Sequence, residues 1–298
     1  MLLKDFINDG TSSLQALYPT EEARKIVLML CEALLGVQSY THIIEPRTEV
    51  PSGREEVLAE ALSRLLAAEP VQYVTGAASF CGYDFRVTPD VLIPRPETEC
   101  LVREACAAVE ALQRMRIPAG KSGEALQVLD LCTGSGCIAW TMALSLPGAR
   151  VTGVDVSEEA LAVARRQDFG RLLRKAGARA PEFIRLDVLE PSAIFEGRSF
   201  DLILSNPPYI PASQRALMRP NVVDHEPSLA LFVPDADPLL FYRAIAAWAK
   251  RCLAPWGRGF VEIHEDFGPQ TRDVFLQNGF DRASLVKDFY GKNRIVAF

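Results

Sequence analysis

Asn206, Pro207, Pro208 and Tyr209 follow directly on a short, largely apolar run, Phe200-Asp201-Leu202-Ile203-Leu204-Ser205. Each proline fixes its own φ, lacks an N–H and drives the preceding residue towards extended backbone. Asn206 therefore sits on a nearly rigid chain, with its carboxamide and the carbonyls around it aimed in set directions. The ring of Tyr209 adds a flat aromatic face beside them. Such a loop suits holding one planar, hydrogen-bonding nitrogen group still while it reacts. The same four residues would also serve as a plain proline-rich turn, so the rest of the chain has to decide.

A second constellation lies upstream. The run Leu126-Gln127-Val128-Leu129-Asp130-Leu131 is followed by Cys132-Thr133-Gly134-Ser135-Gly136 and then by an apolar stretch of helical length. A glycine-rich turn between strand and helix lets a ligand approach the backbone closely at the helix N-terminus. An acid ending the next strand, about twenty residues on, is placed to bind a ribose diol. Gly134, Gly136 and Asp155 meet both conditions. Dinucleotide enzymes share this spacing, yet the turn is not G-x-G-x-x-G, because Cys137, Ile138 and Ala139 follow Gly136. Asp130 just upstream and Asp187 after the third strand fit a nucleoside that lacks a pyrophosphate.

These residues need a frame. Strands at 126–131, 151–155, 182–187 and 200–205 alternate with helical segments at 138–146 and 158–175, which predicts a doubly wound parallel sheet. Further on come a helix at 239–252, a strand at 259–264, a helix at 269–278 and closing strands at 283–288 and 293–298. Ser157 reads as a helix cap. Open α/β sheets bind ligands outside the carboxyl ends of their strands, which brings the first turn, Asp155, Asp187 and Asn206 to one edge.

The first 75 residues read as a small helical bundle, with apolar stripes through Leu2, Leu3, Phe6 and Ile7, through Ala23, Ile26, Val27, Leu30 and Leu34, and through Val57, Leu58, Ala61, Leu62, Leu65 and Leu66. Thr11-Ser12-Ser13 is expected to break the first helix and Ser52 to cap the third stripe. Through Phe80 there are six Lys/Arg against eleven Asp/Glu, so most of the excess acid lies here. Residues 79–87 alternate around Gly82-Tyr83 as a β-hairpin. After it, Pro94 and Pro96 frame Arg95, which points to a positioned arginine paired with an acidic neighbour as much as to a surface charge. A helix starts at Thr98, and a loop is expected over 117–123.

Composition narrows the class. Apolar residues make up 49% of the 298 and charged ones 23%, as in a soluble globular protein. The net charge of −6 argues against a nonspecific nucleic-acid binder. Seven scattered cysteines with no C-x-x-C pair fit reduced thiols in a cytoplasm, and three histidines far apart in sequence give a metal site little support. No run of eighteen apolar residues predicts a membrane span, and the start carries no leader pattern.

Taken together, Asp130-Leu131-Cys132-Thr133-Gly134-Ser135-Gly136, Val154-Asp155 and Asn206-Pro207-Pro208-Tyr209 resemble the S-adenosylmethionine-dependent methyltransferases of amide or amino nitrogens. Ile93-Pro94-Arg95-Pro96-Glu97-Thr98-Glu99, with the acidic helical start, is similar to the peptide-chain release factor glutamine methyltransferases. Segments Glu226-Pro227-Ser228-Leu229-Ala230-Leu231 and Lys287-Asp288-Phe289-Tyr290-Gly291-Lys292-Asn293-Arg294 also look like that family's later part. The likeness covers nearly the whole chain, the N-terminal bundle least specifically.

The resemblance implies an α/β, Rossmann-like, seven-stranded class I methyltransferase domain at 93–298, a helical N-terminal domain at 1–77 that docks the release factor, and a β-hairpin linker at 78–92. It implies S-adenosylmethionine as cofactor, held by Cys132, Thr133, Gly134, Ser135, Gly136, Asp155, Asp187, Val188 and Asn206. The substrate would be the glutamine of the Gly-Gly-Gln loop in bacterial class I release factors, bound at Asn206, Pro207, Pro208 and Tyr209. Asn206, Pro207 and Tyr209 would be catalytic, with no metal, no membrane, no direct nucleic-acid partner and a cytoplasmic location. Adenine-N6 methyltransferases share the Asn-Pro-Pro-Tyr loop, whereas the 93–99 segment is the more discriminating one. Three alternatives remain: a ribosomal-protein glutamine methyltransferase, an adenine-N6 methyltransferase of DNA or RNA, which the missing basic patch disfavours, and a non-catalytic cofactor-binding module, which would not need an intact 206–209 loop.

One position departs from the family. Where its members usually have glycine this chain has Cys132, and a Cβ there would clash at positive φ. The expectation is a negative φ at Cys132, with the small side chain packed beside the cofactor. No histidine lies near it in sequence, so a nucleophilic role is not expected.

Overall fold

A computed structural model describes residues 1–121 and 123–298; the loop expected over 117–123 includes residue 122, which lies outside the described residues. The chain divides into two compact units, Met1–Ala77 with Met218–His225, and Ala78–Leu217 with Glu226–Phe298.

The first unit holds α1 (Leu3–Leu14), α2 (Thr20–Leu35), α3 (Thr41–Ile44), α4 (Glu55–Leu66) and α5 (Val71–Thr75). Leu3, Phe6, Ile7, Ala23, Val27, Leu30, Leu58 and Leu65 make its core, as their helical spacing requires. Thr11-Ser12-Ser13 does not break α1. The Thr11 hydroxyl donates to the Ile7 carbonyl, and Ser13 to Asp9, so both are satisfied inside the helix. Nor does Ser52 cap α4, which starts from Arg54 without a side-chain cap.

A hairpin follows, β1 (Ala77–Phe80) and β2 (Tyr83–Arg86), turned by Cys81 and Gly82, both at positive φ. Residues 78–92 belong to the second unit's compact body. Phe85 packs edge-on against Phe169 at 5.0 Å between centroids. Then come α6 (Glu99–Arg116), β3 (Gln127–Leu131), α7 (Cys137–Ser145), β4 (Arg150–Asp155), α8 (Glu158–Arg165), α9 (Gly170–Ala176), β5 (Glu182–Arg185) and β6 (Phe200–Ser205). The single helix expected at 158–175 is two, with Gln167 buried in the break, where it bonds the Arg86 backbone and the Ser135 carbonyl. The chain continues through β7 (Ile210–Pro211), α10 (Pro220–Val223, in the first unit), α11 (Ser228–Leu231), β8 (Phe232–Val233), α12 (Leu240–Cys252), β9 (Leu253–Glu262), α13 (Gly268–Gln277), β10 (Ser284–Lys287) and β11 (Asn293–Ala297).

Seven strands form one mixed sheet in the order β10-β11-β9-β6-β3-β4-β5. The five from β9 to β5 are parallel, while β11 runs antiparallel to both of its neighbours. Alternation along the strands divides the core by sheet face. Val128, Leu202 and Leu204 pack with Leu101, Ala105 and Trp140, whereas Leu129, Leu131 and Ile203 pack with Tyr242, Ile245 and Phe275. A buried ion pair closes the far end of the sheet, where Asp201 takes Arg116 at 3.1 Å, the Gln127 N–H at 2.8 Å and the Trp256 indole at 2.7 Å. Among the described residues no helix is long and apolar enough to cross a membrane.

The topology fixes where a ligand can enter. From β3 the chain winds one way to β4 and β5, then returns to the other side of β3 with β6. The crevice at such a reversal opens at the carboxyl ends of the strands. Leu131 stands opposite Val154 on one side and Ser205 on the other, so the residues after β3, β4 and β6 share that edge.

Candidate active site

A cavity fills this edge. Cys132, Thr133, Gly134, Ser135, Asp155, Asp187, Val188, Asn206 and Pro208 line it, together with Arg95, Thr98 and Leu229. Gly136, Pro207 and Tyr209 are not among the described lining residues. At Gly136, φ is +78° and a Cβ would press on Trp140 at 3.0 Å and on Ala164 and Phe183 at 3.1 Å, so this glycine serves the packing of α7. Gly134, at φ +55°, has nothing within 4 Å of the place its Cβ would take, and the space in front of it is open.

Asp155 ends β4 and ties the turn to the next loop. Its Oδ2 accepts the Gly134 N–H at 2.8 Å and its Oδ1 the Ser157 N–H at 3.0 Å. Those two bonds leave a carboxylate with acceptor capacity for a diol. Burial raises its pKa, and these backbone N–H groups act in the other direction. Ser157 caps α8 as its position predicts, accepting the Ala160 N–H at 3.0 Å. Beneath the turn, Asp130 is fully buried and takes the Thr133 hydroxyl at 2.5 Å and the Ala139 N–H at 3.1 Å. Burial pushes its carboxyl up to about 7. Among the described lining residues Asp90, Asp155 and Asp187 outnumber the basic Arg95, which is itself paired with Glu226, so the cavity favours a positively charged ligand.

Cys132 corrects its expectation. Its φ is +61°, in the left-handed region. The chain must leave β3 so that the Thr133 N–H reaches the Val154 carbonyl at 2.9 Å and the Gly134 N–H reaches Asp155. That bend is made with a positive φ, which costs a residue with a Cβ roughly 1–2 kcal/mol. Burial, with Asp155 and Asp130 close by, holds the thiol well above its ordinary pKa, so it stays protonated and is no nucleophile.

Asn206 and Tyr209 are joined through residues that sequence reasoning did not single out. The Asn206 Nδ2 donates to the Thr98 hydroxyl at 3.1 Å. Thr98 donates to Glu262 Oε2 at 2.6 Å, and the Tyr209 hydroxyl donates to Glu262 Oε1 at 3.1 Å. Glu262 is 1% exposed. Burial raises its pKa, while the Thr98 and Tyr209 hydrogen bonds and the charge of Arg294 act against the rise. Burial also lifts the Tyr209 phenol well above its ordinary range, with Glu262 adding to it. A signal for Glu262 existed in the polar residue inside the otherwise apolar Phe260-Val261-Glu262-Ile263. Thr98 lay within the 93–99 segment, but nothing in spacing gave its partner.

Arg95 does find an acid. It pairs with Glu226 at 2.5 Å, and Glu226 also accepts the Ile93 N–H at 3.1 Å. Glu226 is buried and opens the 226–231 segment, so two stretches tied to one family by resemblance are joined here by a charge pair.

Comparison with known proteins places the chain in a family. Residues 122–243 match the model of a methyltransferase domain, and residues 5–76 that of a PrmC N-terminal domain. A release factor glutamine methyltransferase of Bacteroides thetaiotaomicron is 38% identical over 95% of both chains. One of Geobacter sulfurreducens is 35% identical over 97% of this chain and 93% of its own. Among solved structures, the hMettl16 catalytic domain in complex with MAT2A 3′UTR hairpin 1 has a TM-score of 0.52 at 12% identity, covering 82% of this chain and 80% of that one, a likeness of fold alone. With motifs, sheet order and 35–38% identity over nearly the whole chain in agreement, the chain belongs to the release factor glutamine methyltransferase family.

Proposed function

We propose that this chain transfers a methyl group from S-adenosylmethionine to the side-chain amide nitrogen of the glutamine in the Gly-Gly-Gln loop of bacterial class I release factors. The observation that carries this reading is that Asn206 lines the same cavity as Asp155 and Gly134. The residues present suit the cofactor: open space before Gly134, a carboxylate at Asp155 able to take a ribose diol, and acids that favour a cationic centre. When bound, the cofactor supplies a methyl group made electrophilic by its sulfonium.

The chain's own contribution follows from the amide. A glutamine nitrogen is a weak nucleophile, because its lone pair is delocalised into the carbonyl. Holding it in line lowers the entropic part of the barrier. The Asn206 Oδ1 and the Pro207 carbonyl accept its two hydrogens and stabilise the positive charge that develops as the N–C bond forms. Tyr209, fixed through its hydroxyl on Glu262, is assigned the face of the amide. No base acts before transfer, since the nitrogen proton becomes acidic only as the bond forms. The N-terminal unit, which exposes Ile43 and Ile44 and carries most of the excess acid, supplies part of the docking surface in this reading.

The test is label transfer. The protein is incubated with methyl-labelled S-adenosylmethionine and, separately, a class I release factor, ribosomal proteins and nucleic acid. Label on the release factor glutamine is the expected result; label on another acceptor, or on none, overturns the reading.

A further inference from the structure

The two ends of an asparagine carboxamide have nearly the same shape, so its neighbours decide which end faces a ligand. At Asn206 the decision is made two residues away. A threonine hydroxyl has one proton, and that of Thr98 lies on Glu262 Oε2 at 2.6 Å. The two hydroxyls and the charge of Arg294 favour the carboxylate form of Glu262 against the rise that burial imposes, and a carboxylate only accepts; its other oxygen takes the Tyr209 hydroxyl. Thr98 Oγ1 is left with lone pairs alone to offer Asn206, and only Nδ2 can meet them. The carboxamide is therefore turned so that its nitrogen is spent on Thr98. Its Oδ1 accepts no hydrogen bond among the described residues, and Asn206 lines the cavity.

We propose that Thr98 and Glu262 are positioning residues that aim the Asn206 oxygen into the cavity and so make the site select a primary amide over a carboxylate. This rests on the reading that the substrate is a side-chain amide. An amide offers N–H groups to Oδ1. A glutamate at the same place offers only oxygens, which Oδ1 repels, and Nδ2 is held back from it.

The experiment measures binding, so that it reads out with or without turnover. Calorimetry in the presence of S-adenosylhomocysteine compares a class I release factor with the same factor carrying glutamate for the target glutamine. Wild type binds the glutamine form about tenfold or more tightly than the glutamate form, the discrimination expected of one hydrogen bond against an unpaired polar group. Thr98→Val removes the lone pairs and frees the carboxamide to turn, so the ratio collapses towards one. Thr98→Ser keeps the hydroxyl and the ratio. Glu262→Gln, which preserves volume, frees the Thr98 proton to turn to Asn206 in one of its two orientations, and lowers the ratio in the same direction. In steady-state assays Thr98→Val loses kcat about tenfold or more while S-adenosylmethionine affinity holds. Equal wild-type affinity for the two factors overturns the proposal. So does an unchanged ratio in both Thr98→Val and Glu262→Gln, or a Thr98→Ser protein that behaves like Thr98→Val. Failure of wild type to label the release factor counts instead against the parent reading of substrate, since the binding ratio is read separately.

Discussion

Asn206 reaches Thr98 across 108 residues of sequence and spends its amide nitrogen there, at 3.1 Å. In the proposed reaction its oxygen is then the acceptor left for the substrate amide. Replacing Asn206 with alanine removes that fixed acceptor without touching Asp155 or the turn after β3. By analogy with the loss of one oxyanion-hole donor, the cost is about 2.7–4 kcal/mol of transition-state stabilisation, or roughly 10²–10³ in kcat. Steady-state kinetics on a release factor should show this loss, while calorimetry shows S-adenosylmethionine affinity held within about threefold. Near-normal turnover would remove Asn206 from the mechanism.

Asp155 predicts the opposite split. It accepts the Gly134 and Ser157 N–H groups and lines the cavity beside them, so its loss loosens the cofactor end and leaves the Asn206–Thr98 bond in place. Asp155→Ala should weaken S-adenosylmethionine binding about ten- to a hundredfold, the worth of one or two hydrogen bonds to a charged acceptor. Calorimetry measures this directly. At saturating cofactor, kcat should fall less than in Asn206→Ala, and a Kd equal to wild type would take Asp155 out of the binding site.

Those two residues show how far sequence alone reaches. Asn206, Asp155 and Gly134 were legible because each lies at or just past the carboxyl end of a strand, and those ends in a parallel sheet gather at one edge whatever the strand order. The order itself, and the antiparallel β11, were not legible, since alternation says nothing about which strands become neighbours. Glu226 and Glu262 were hidden for a related reason. A buried carboxylate declares itself only through its partners, and those of Glu262 come from residues 98 and 209, joined by folding alone. The φ of Cys132 was not legible because a Cβ argues for a negative value, whereas the turn that carries the Thr133 and Gly134 hydrogen bonds is made with a positive one.

Cys132 yields a stability prediction. At φ +61° its Cβ carries a conformational cost that glycine avoids, partly offset by the larger entropy glycine loses on folding. Cys132→Gly should raise the unfolding free energy by roughly 0.5–1 kcal/mol. Cys132→Ala keeps the Cβ and should give no gain. Urea denaturation of the three proteins, without cofactor, distinguishes them. A stabilised alanine variant would mean that the thiol, not the backbone, is the source of the cost.

Asp130 makes stability depend on pH in an unusual direction for a carboxylate. It is fully buried, its Oδ2 holds Thr133 and Ala139, and its Oδ1 has no hydrogen-bond partner among the described residues. Burial places its folded pKa at about 7, against an ordinary 3.8. Between those values the folded protein holds a proton that the unfolded chain has released. Stability from this group is therefore complete below about pH 4 and lost as pH rises through about 7, a swing of order 4 kcal/mol at about 1.4 kcal/mol for each pH unit. Asp130→Asn cannot titrate, and its oxygen can still accept from Thr133 and Ala139. Subtracting the variant's unfolding free energy from that of wild type, point by point from pH 4 to 8, should leave a difference that falls with pH and levels off above 7. Parallel curves would show that Asp130 is ionised in the folded protein throughout, held by a partner on its second oxygen.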